Sequence, residues 1–348
     1  MKDDNLSAVL YGVDDIRLEQ REIPVPNDNQ LLIRVHTVGI CGSDVHYWRH
    51  GAIGSYVVKE PMVLGHETSG VVAGMGAKVK GFKVGDRVAL EPGVPCRFCH
   101  HCKTGRYNLC PDMHFFATPP VHGTLTRYVI HDADFCFKLP ETVTFEEAAL
   151  LEPLSVGVHA CRRANIGIGQ SVLVQGAGPI GTLCMMVAKA MGAAQVVITD
   201  LDENRLTLAK TLGADHVVCV KGMSILDVQN AVLDCLQCEP DATIECTGAQ
   251  ACMESSILIT HSGGVIVMVG LGAPRNDLPI IDSCLREVDI RGVFRYANCY
   301  PTALNLIASR RIDLTGLTKA HYKLKEAEEA FRRAQMVDVI KVFIHCQE

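Results

Sequence analysis

Four cysteines, Cys96, Cys99, Cys102 and Cys110, crowd one short stretch at C-x2-C-x2-C-x7-C spacing. Four thiolates so placed match a closed tetrahedral zinc site. In a reducing compartment, tight cysteine spacing reads as metal binding before disulfide. An iron–sulfur cluster, also held by four thiolates, is the alternative. A second set is scattered along the chain. Cys41 sits in Gly39-Ile-Cys-Gly-Ser-Asp-Val-His-Tyr47, His66 and Glu67 follow Pro61-Met-Val-Leu64, and Glu152 lies in Leu151-Glu-Pro-Leu154. A thiolate, an imidazole and carboxylates are the ligand types of a catalytic zinc, which keeps one position open. Such an ion acts as a Lewis acid toward a hydroxyl. Taken singly, Cys41 is equally a core thiol and His66 equally a turn histidine.

A third constellation concerns phosphate. Gly176-Ala-Gly-Pro-Ile-Gly181 follows an apolar run, Ser171–Gln175, and precedes another, Ile180–Met191. That context makes GxGxxG a dinucleotide fingerprint. Gly176 gives the tight turn, Gly178 admits the pyrophosphate and Gly181 allows close packing of helix on strand. The helix N-terminus presents free N–H groups to the phosphates. Asp200 ends the next strand, where a carboxylate accepts from ribose hydroxyls and repels the 2′-phosphate of NADP. Arg205 lies close by and could pair such a phosphate, yet the acidity of Thr199-Asp-Leu-Asp-Glu203 favours NAD.

The elements that must carry these residues change character part-way along. Up to about residue 150 the chain reads as all-β. Short β-branched runs (31–38, 70–74, 85–90) are separated by glycine and proline, and there is no long amphipathic helix. A helical stretch over 146–163 reads as interrupted at Pro153. From 171, strands (171–175, 195–199, 216–220, 242–246, 264–269, 289–293) alternate with helices (180–191, 203–212, 225–236). This pattern predicts βαβ units and a parallel sheet. A helix over 324–336 and a strand over 339–344 close the chain.

With 348 residues and 48% apolar composition, the chain is long enough for about two domains. A net charge of −6 gives no basic surface for nucleic acid. The start, MKDDNLSAVLYG, lacks the basic and apolar segments of a signal peptide. No apolar run reaches the roughly 18 residues that a membrane span needs. These features predict a cytoplasmic protein with reduced thiols. Cys136, Cys161, Cys184, Cys219, Cys246 and Cys346 then read as small buried hydrophobes, and His100 and His101 as solvated loop residues.

The Gly-His-Glu motif, the cysteine lobe, GxGxxG and the β-then-α/β order together resemble the zinc-dependent medium-chain dehydrogenase/reductases, over the whole chain. Val38–Trp48, Pro61–Glu67, Gly105–Leu109, Ala117–Pro120, Leu151–Gly157 and Val293–Tyr296 are similar to the polyol-oxidising branch of that family. The resemblance implies a GroES-like β-rich catalytic domain over 1–155 and a Rossmann doubly wound domain over 156–294. Residues 295–348 return to the catalytic domain. It implies one catalytic zinc on Cys41, His66 and Glu67, with Glu152 holding the water or exchanging onto the metal. It implies one structural zinc on the four lobe cysteines, which some animal members lack. Glutamate at 152, where alcohol dehydrogenases of this fold usually place a second cysteine, supports a polyol. The activity implied is oxidation of sorbitol or a relative such as xylitol to the ketose, fructose for sorbitol, with hydride passing to NAD. Ser43 would relay the proton, and Tyr47, Glu152, Arg295 and Tyr296 would meet the polyol. Ile180, Asp200, Arg205, Val269, Gly270, Leu271, Val293, Phe294 and Arg295 would join the glycines at the cofactor. A homotetramer is implied, with the segment 264–293 as an interface.

Other readings remain at this point. Within the family these are a xylitol or threonine dehydrogenase and an NADP-dependent ketose reductase. Outside it are a non-catalytic protein that keeps the fold and a nucleic-acid module built on the cysteine loop.

Overall fold

The computed structural model describes residues 4–347. Contacts divide them into two compact units. The first takes the chain up to Glu152, Leu304–Ala308 and everything from Leu317 on; the second takes Pro153–Ala303 and Ser309–Gly316.

The first unit is built on a seven-stranded sheet. Its order runs Cys136–Lys138, Arg87–Leu90, Glu67–Met75, Gln30–Gly39, Lys341–His345, Lys319–Lys323, and Tyr128–Asp132 also pairs with Gln30–Gly39. The C-terminal strand Lys341–His345 is inserted between Gln30–Gly39 and the edge strand Lys319–Lys323, antiparallel to the first and parallel to the second. Val35, Val38, Trp48, Leu64, Leu125, Phe331 and Ile344 form one apolar core, and Leu31, Ile33, Val72, Val88 and Leu90 form another.

This unit is not all-β. Gly42–His50 is a nine-residue helix, and Phe145–Ala149 is a short one capped by Thr144, whose hydroxyl accepts from Glu147 N–H. The helix Leu151–Arg163 also runs unbroken through Pro153. Proline is tolerated there because the first-turn N–H has no helical partner to lose. The interruption falls one step earlier, between Ala149 and Leu151.

The second unit contains a six-stranded parallel sheet in the order His216–Cys219, Gln195–Asp200, Ser171–Gln175, Ala242–Glu245, Val265–Met268, Asp289–Gly292. Numbered within the unit this is 3-2-1-4-5-6, the doubly wound order whose switch point lies beside the first strand. Ser171–Gln175 is buried throughout, as a strand covered on both faces must be. Three further helices, Gln250–Ile259, Ile280–Leu285 and Tyr300–Ala308, gave no periodic signal in the sequence.

The division at Ala303 falls later in sequence than 294. Arg162 explains this: its guanidinium donates to Asn298 O (2.9 Å) and Thr302 Oγ1 (2.7 Å), holding that segment to the helix Leu151–Arg163. The closing helix is shorter than 324–336, with a 3-10 turn at Leu324–Glu326 and α-helix only over Ala327–Arg333. Cys136, Cys161, Cys184 and Cys346 are buried, whereas Cys219 and Cys246 are only half-buried. Among the described residues no helix is long and apolar enough to cross a membrane.

Candidate active site

The strand Gln30–Gly39 ends just before Cys41, and Cys41 precedes the helix Gly42–His50. The neighbouring strand begins at Glu67, with Gly39 paired to Glu67. Sheet register therefore sets Cys41 beside His66 and Glu67, and one ligand atom from each lies within 4.8 Å of the others. Zinc bonds of about 2.0–2.3 Å put donor atoms of one ion about 3.3–3.8 Å apart, so this thiol, imidazole and carboxylate fit a shared ion. His66 is 5% exposed and Glu67 1%.

Glu67 meets the ammonium of Lys341, and Lys341 is itself buried. Gly39 makes room for this ion pair: a Cβ there would strike the Glu67 carboxylate and lie 2.8 Å from Lys341 Cε. Burial works against a charged lysine, but Glu67 and then Cys41 hold the Lys341 pKa above its usual range, with Glu152 adding. Glu152 is buried at the start of its helix and near enough for its charge to act on Lys341 and Glu91. It is not one of the three convergent ligands.

The four lobe cysteines also converge. Cys96 Sγ is 3.9 Å from Cys102 Sγ, and Cys99 Sγ is 3.4 Å from Cys102 Sγ; thiolates on one tetrahedral zinc stand about 3.8 Å apart. Backbone N–H groups of Phe98 and Cys99 draw the Cys96 thiol down to about 7, which favours the thiolate that a metal needs. His100 is exposed and His101 half-buried, outside the thiol cluster.

In the second unit, Gly178 caps the helix Pro179–Met191, with proline at its first position. A Cβ on Gly181 would run into the Gly176 carbonyl, so glycine is required for this close turn. Asp200 Oδ2 accepts from Ala177 N–H (2.6 Å), tying the strand end to the glycine loop. Gly176, Gly178, Asp200 and Arg205 line a cavity of about 600 Å³, which Met223, Thr247 and Cys252 complete. Val269 and Gly270 both donate N–H to Glu245 O. Leu271 is largely exposed. Arg295 is in the left-handed backbone region (φ 51°) with its guanidinium over Phe294, and Tyr296 is buried beside Tyr300. In the first unit Tyr47 is buried in the apolar core, and Ser43 is half-buried on the same helix.

Residues 27–141 match the alcohol dehydrogenase GroES-like domain, and residues 179–309 match the zinc-binding dehydrogenase domain. Sorbitol dehydrogenase of Gallus gallus is 52% identical over 98% of this chain and 96% of its own length. That of Homo sapiens is 51% identical over 99% and 97%. The chain belongs to the sorbitol dehydrogenases, within the zinc-dependent medium-chain dehydrogenase family. Among solved structures, L-idonate 5-dehydrogenase from Escherichia coli superposes with a TM-score of 0.91 at 32% identity, covering 98% of both chains. The 2R,3R-butanediol dehydrogenase of Bacillus subtilis gives 0.90 at 28%, over 99% of this chain and 100% of that one.

In this sorbitol dehydrogenase family member, three residues absent from the sequence reading shape the site. Asp44 accepts from Cys41 N–H (3.1 Å) and Gly65 N–H (2.9 Å), and its Oδ1 faces His66 Nδ1. Its place three residues after Cys41 is that of a capping carboxylate, a signal present in the sequence. Lys341 left no such signal, being one charge inside an apolar strand. Glu91 is buried and accepts from Tyr107 Oη (2.6 Å), a lobe residue. Burial pushes its carboxyl up to about 7 against the pull of Tyr107, with Glu152 adding to the rise.

Proposed function

We propose that this chain oxidises a secondary alcohol of sorbitol or a related polyol to the ketose, with NAD as the hydride acceptor. The observation that carries the reading is the buried meeting of Cys41, His66 and Glu67 in a chain about half identical to sorbitol dehydrogenases end to end. Zinc bound there supplies a Lewis acid that lowers the pKa of a hydroxyl in the pocket. NAD, when bound, takes the hydride that the carbon gives up.

The residues do the remainder. Cys41, His66 and Glu67 hold the ion, Asp44 fixes the His66 ring, and Lys341 holds Glu67 in place. Glu152, a buried carboxylate outside the ligand set, accepts the hydroxyl proton, and Ser43 passes it outward. We assign Tyr47, Arg295 and Tyr296 to the polyol hydroxyls by the family motif. Asp200 receives the adenosine ribose, and its charge selects NAD over NADP. Cys96, Cys99, Cys102 and Cys110 hold the structural zinc.

The same reading includes self-association into a homotetramer. Asp289–Gly292 is the free edge of the parallel sheet, and Ile280, Ile281, Leu285 and Ile290 beside it are exposed, a pattern that ordinarily pairs with another chain. Sedimentation of the purified protein checks it. All sixteen cysteines are free of disulfides, which suits the reducing cytosol.

The test is a substrate panel of sorbitol, xylitol, threonine and ethanol with each nicotinamide cofactor. The reading expects sorbitol or xylitol with NAD to lead. Ethanol should trail by as much as roughly 10⁴-fold in kcat/KM, since a site that pairs hydroxyls rejects analogues lacking them. Comparable values for ethanol and sorbitol, or threonine in the lead, would overturn it.

A further inference from the structure

Away from the Cys41 pocket and the cysteine lobe, a third group of ligand-type side chains meets in the first unit: Glu146, His321 and His345. They come from distant parts of the sequence. Glu146 is in the first turn of the helix Phe145–Ala149, His321 is at the middle of Lys319–Lys323, and His345 ends Lys341–His345. The two strands pair in parallel, with His321 opposite Phe343 and Lys323 opposite His345. His321 and His345 therefore sit on one face, a diagonal step apart.

The spacing is that of a coordination shell. His321 Nδ1 is 3.2 Å from His345 Nε2 and 3.4 Å from Glu146 Oε1. Two donors bound at about 2.0–2.1 Å to one tetrahedral ion stand about 3.3–3.4 Å apart. Metal-bound histidines have their second nitrogen engaged by a neighbour that fixes the ring. His345 meets this condition: its Nδ1 is 3.3 Å from the hydroxyl of Thr37, which is fully buried and also 2.8 Å from His36 Nδ1. His36 is itself fixed by stacking on Phe145, the residue before Glu146. Imidazole and carboxylate donors suit zinc among the available divalent ions.

We propose that Glu146, His321 and His345 form a third metal site, which takes zinc reversibly and clamps the C-terminal strand pair to the helix that leads to Glu152. Two features make it labile. The side chains are open to solvent, His321 by 45% and Glu146 by 27%. The Lys319 ammonium lies 3.3 Å from Glu146 Oε2 and competes with an ion for that carboxylate. The helix Phe145–Ala149 packs on the strands Gln30–Gly39 and Glu67–Met75, so occupancy stiffens the frame around Cys41 and Glu67 while adding no ligand to it.

Equilibrium dialysis of the zinc-loaded enzyme against rising zinc, with metal counted per chain, tests this. The wild type should take up one zinc beyond its initial content. His321→Ala and, separately, Glu146→Gln should weaken that uptake at least about tenfold while keeping the initial zinc content and polyol oxidation. Lys319→Met should tighten it. The proposal falls if the wild type takes up no further zinc, or if the extra zinc persists unchanged in both His321→Ala and Glu146→Gln.

Discussion

Asp44 Oδ1 lies 3.4 Å from His66 Nδ1, and the same carboxylate receives the N–H groups of Cys41 and Gly65. One buried acid thus fixes the backbone at one candidate ligand and the ring of another. Burial alone would lower the His66 pKa, but Asp44 and then Cys41 hold it well above the usual range in the metal-free protein. Such outer partners of a metal ligand are worth about 10- to 100-fold in metal affinity. Asp44→Asn, which keeps the size but drops the charge, should weaken zinc at the Cys41 site by that factor. Activity in zinc-buffered solution should fall in parallel and recover at high zinc. Unchanged zinc affinity would remove Asp44 from the site.

Lys341 and Glu67 make a second prediction. Breaking a buried ion pair by removing one partner costs about 3–5 kcal/mol, because the other charge is left unpaired. Lys341→Met should therefore destabilise the metal-free protein by about that much. With zinc bound the loss should shrink, since the ion then compensates Glu67. Urea unfolding of both forms measures it, and equal losses would contradict the arrangement.

Asp200 accepts from Ala177 and Asp202 N–H groups as well as facing the cofactor cavity. Asp200→Ser should disturb both cofactors, so the readout is their ratio. The kcat/KM ratio of NADP to NAD should rise at least tenfold, about 1.4 kcal/mol. A ratio that stays put would assign Asp200 to the loop alone.

His131 predicts a pH effect on stability. Its Nε2–H donates to Glu91 O at 2.7 Å, and complete burial pushes its pKa down to about 4 from 6.5. Between those values the unfolded chain binds more protons than the folded one. The contribution is whole above about pH 6.5, falls as the pH drops toward 4, and amounts to about 3 kcal/mol. His131→Gln should flatten the slope of unfolding free energy against pH over that window relative to wild type. An unchanged slope would contradict a neutral, buried His131.

The second unit was the more legible half, for physical reasons. Its strands are buried on both faces and appear as apolar runs, and its glycines are imposed by contacts such as Gly181 against the Gly176 carbonyl. The first unit hid more. Gly42–His50 is polar on average with little amphipathic contrast, so no helical period showed. Pro153 looked like a break because proline ends helices in their interior but not in their first turn. Cys41, His66 and Glu67 were legible by residue type. Lys341 was not, since its partner Glu67 is far away in sequence and only the insertion of the C-terminal strand joins them. His321 and His345 were silent for the same reason.

The most direct measurement follows NADH at 340 nm with sorbitol and NAD, on wild type and on Cys41→Ser, with zinc counted in both. The account predicts rapid NAD reduction by the wild type. Cys41→Ser should lose that activity and one zinc per chain while keeping the zinc of the cysteine lobe. Sorbitol oxidation that survives in Cys41→Ser, or a wild type inactive with its zinc in place, would contradict it.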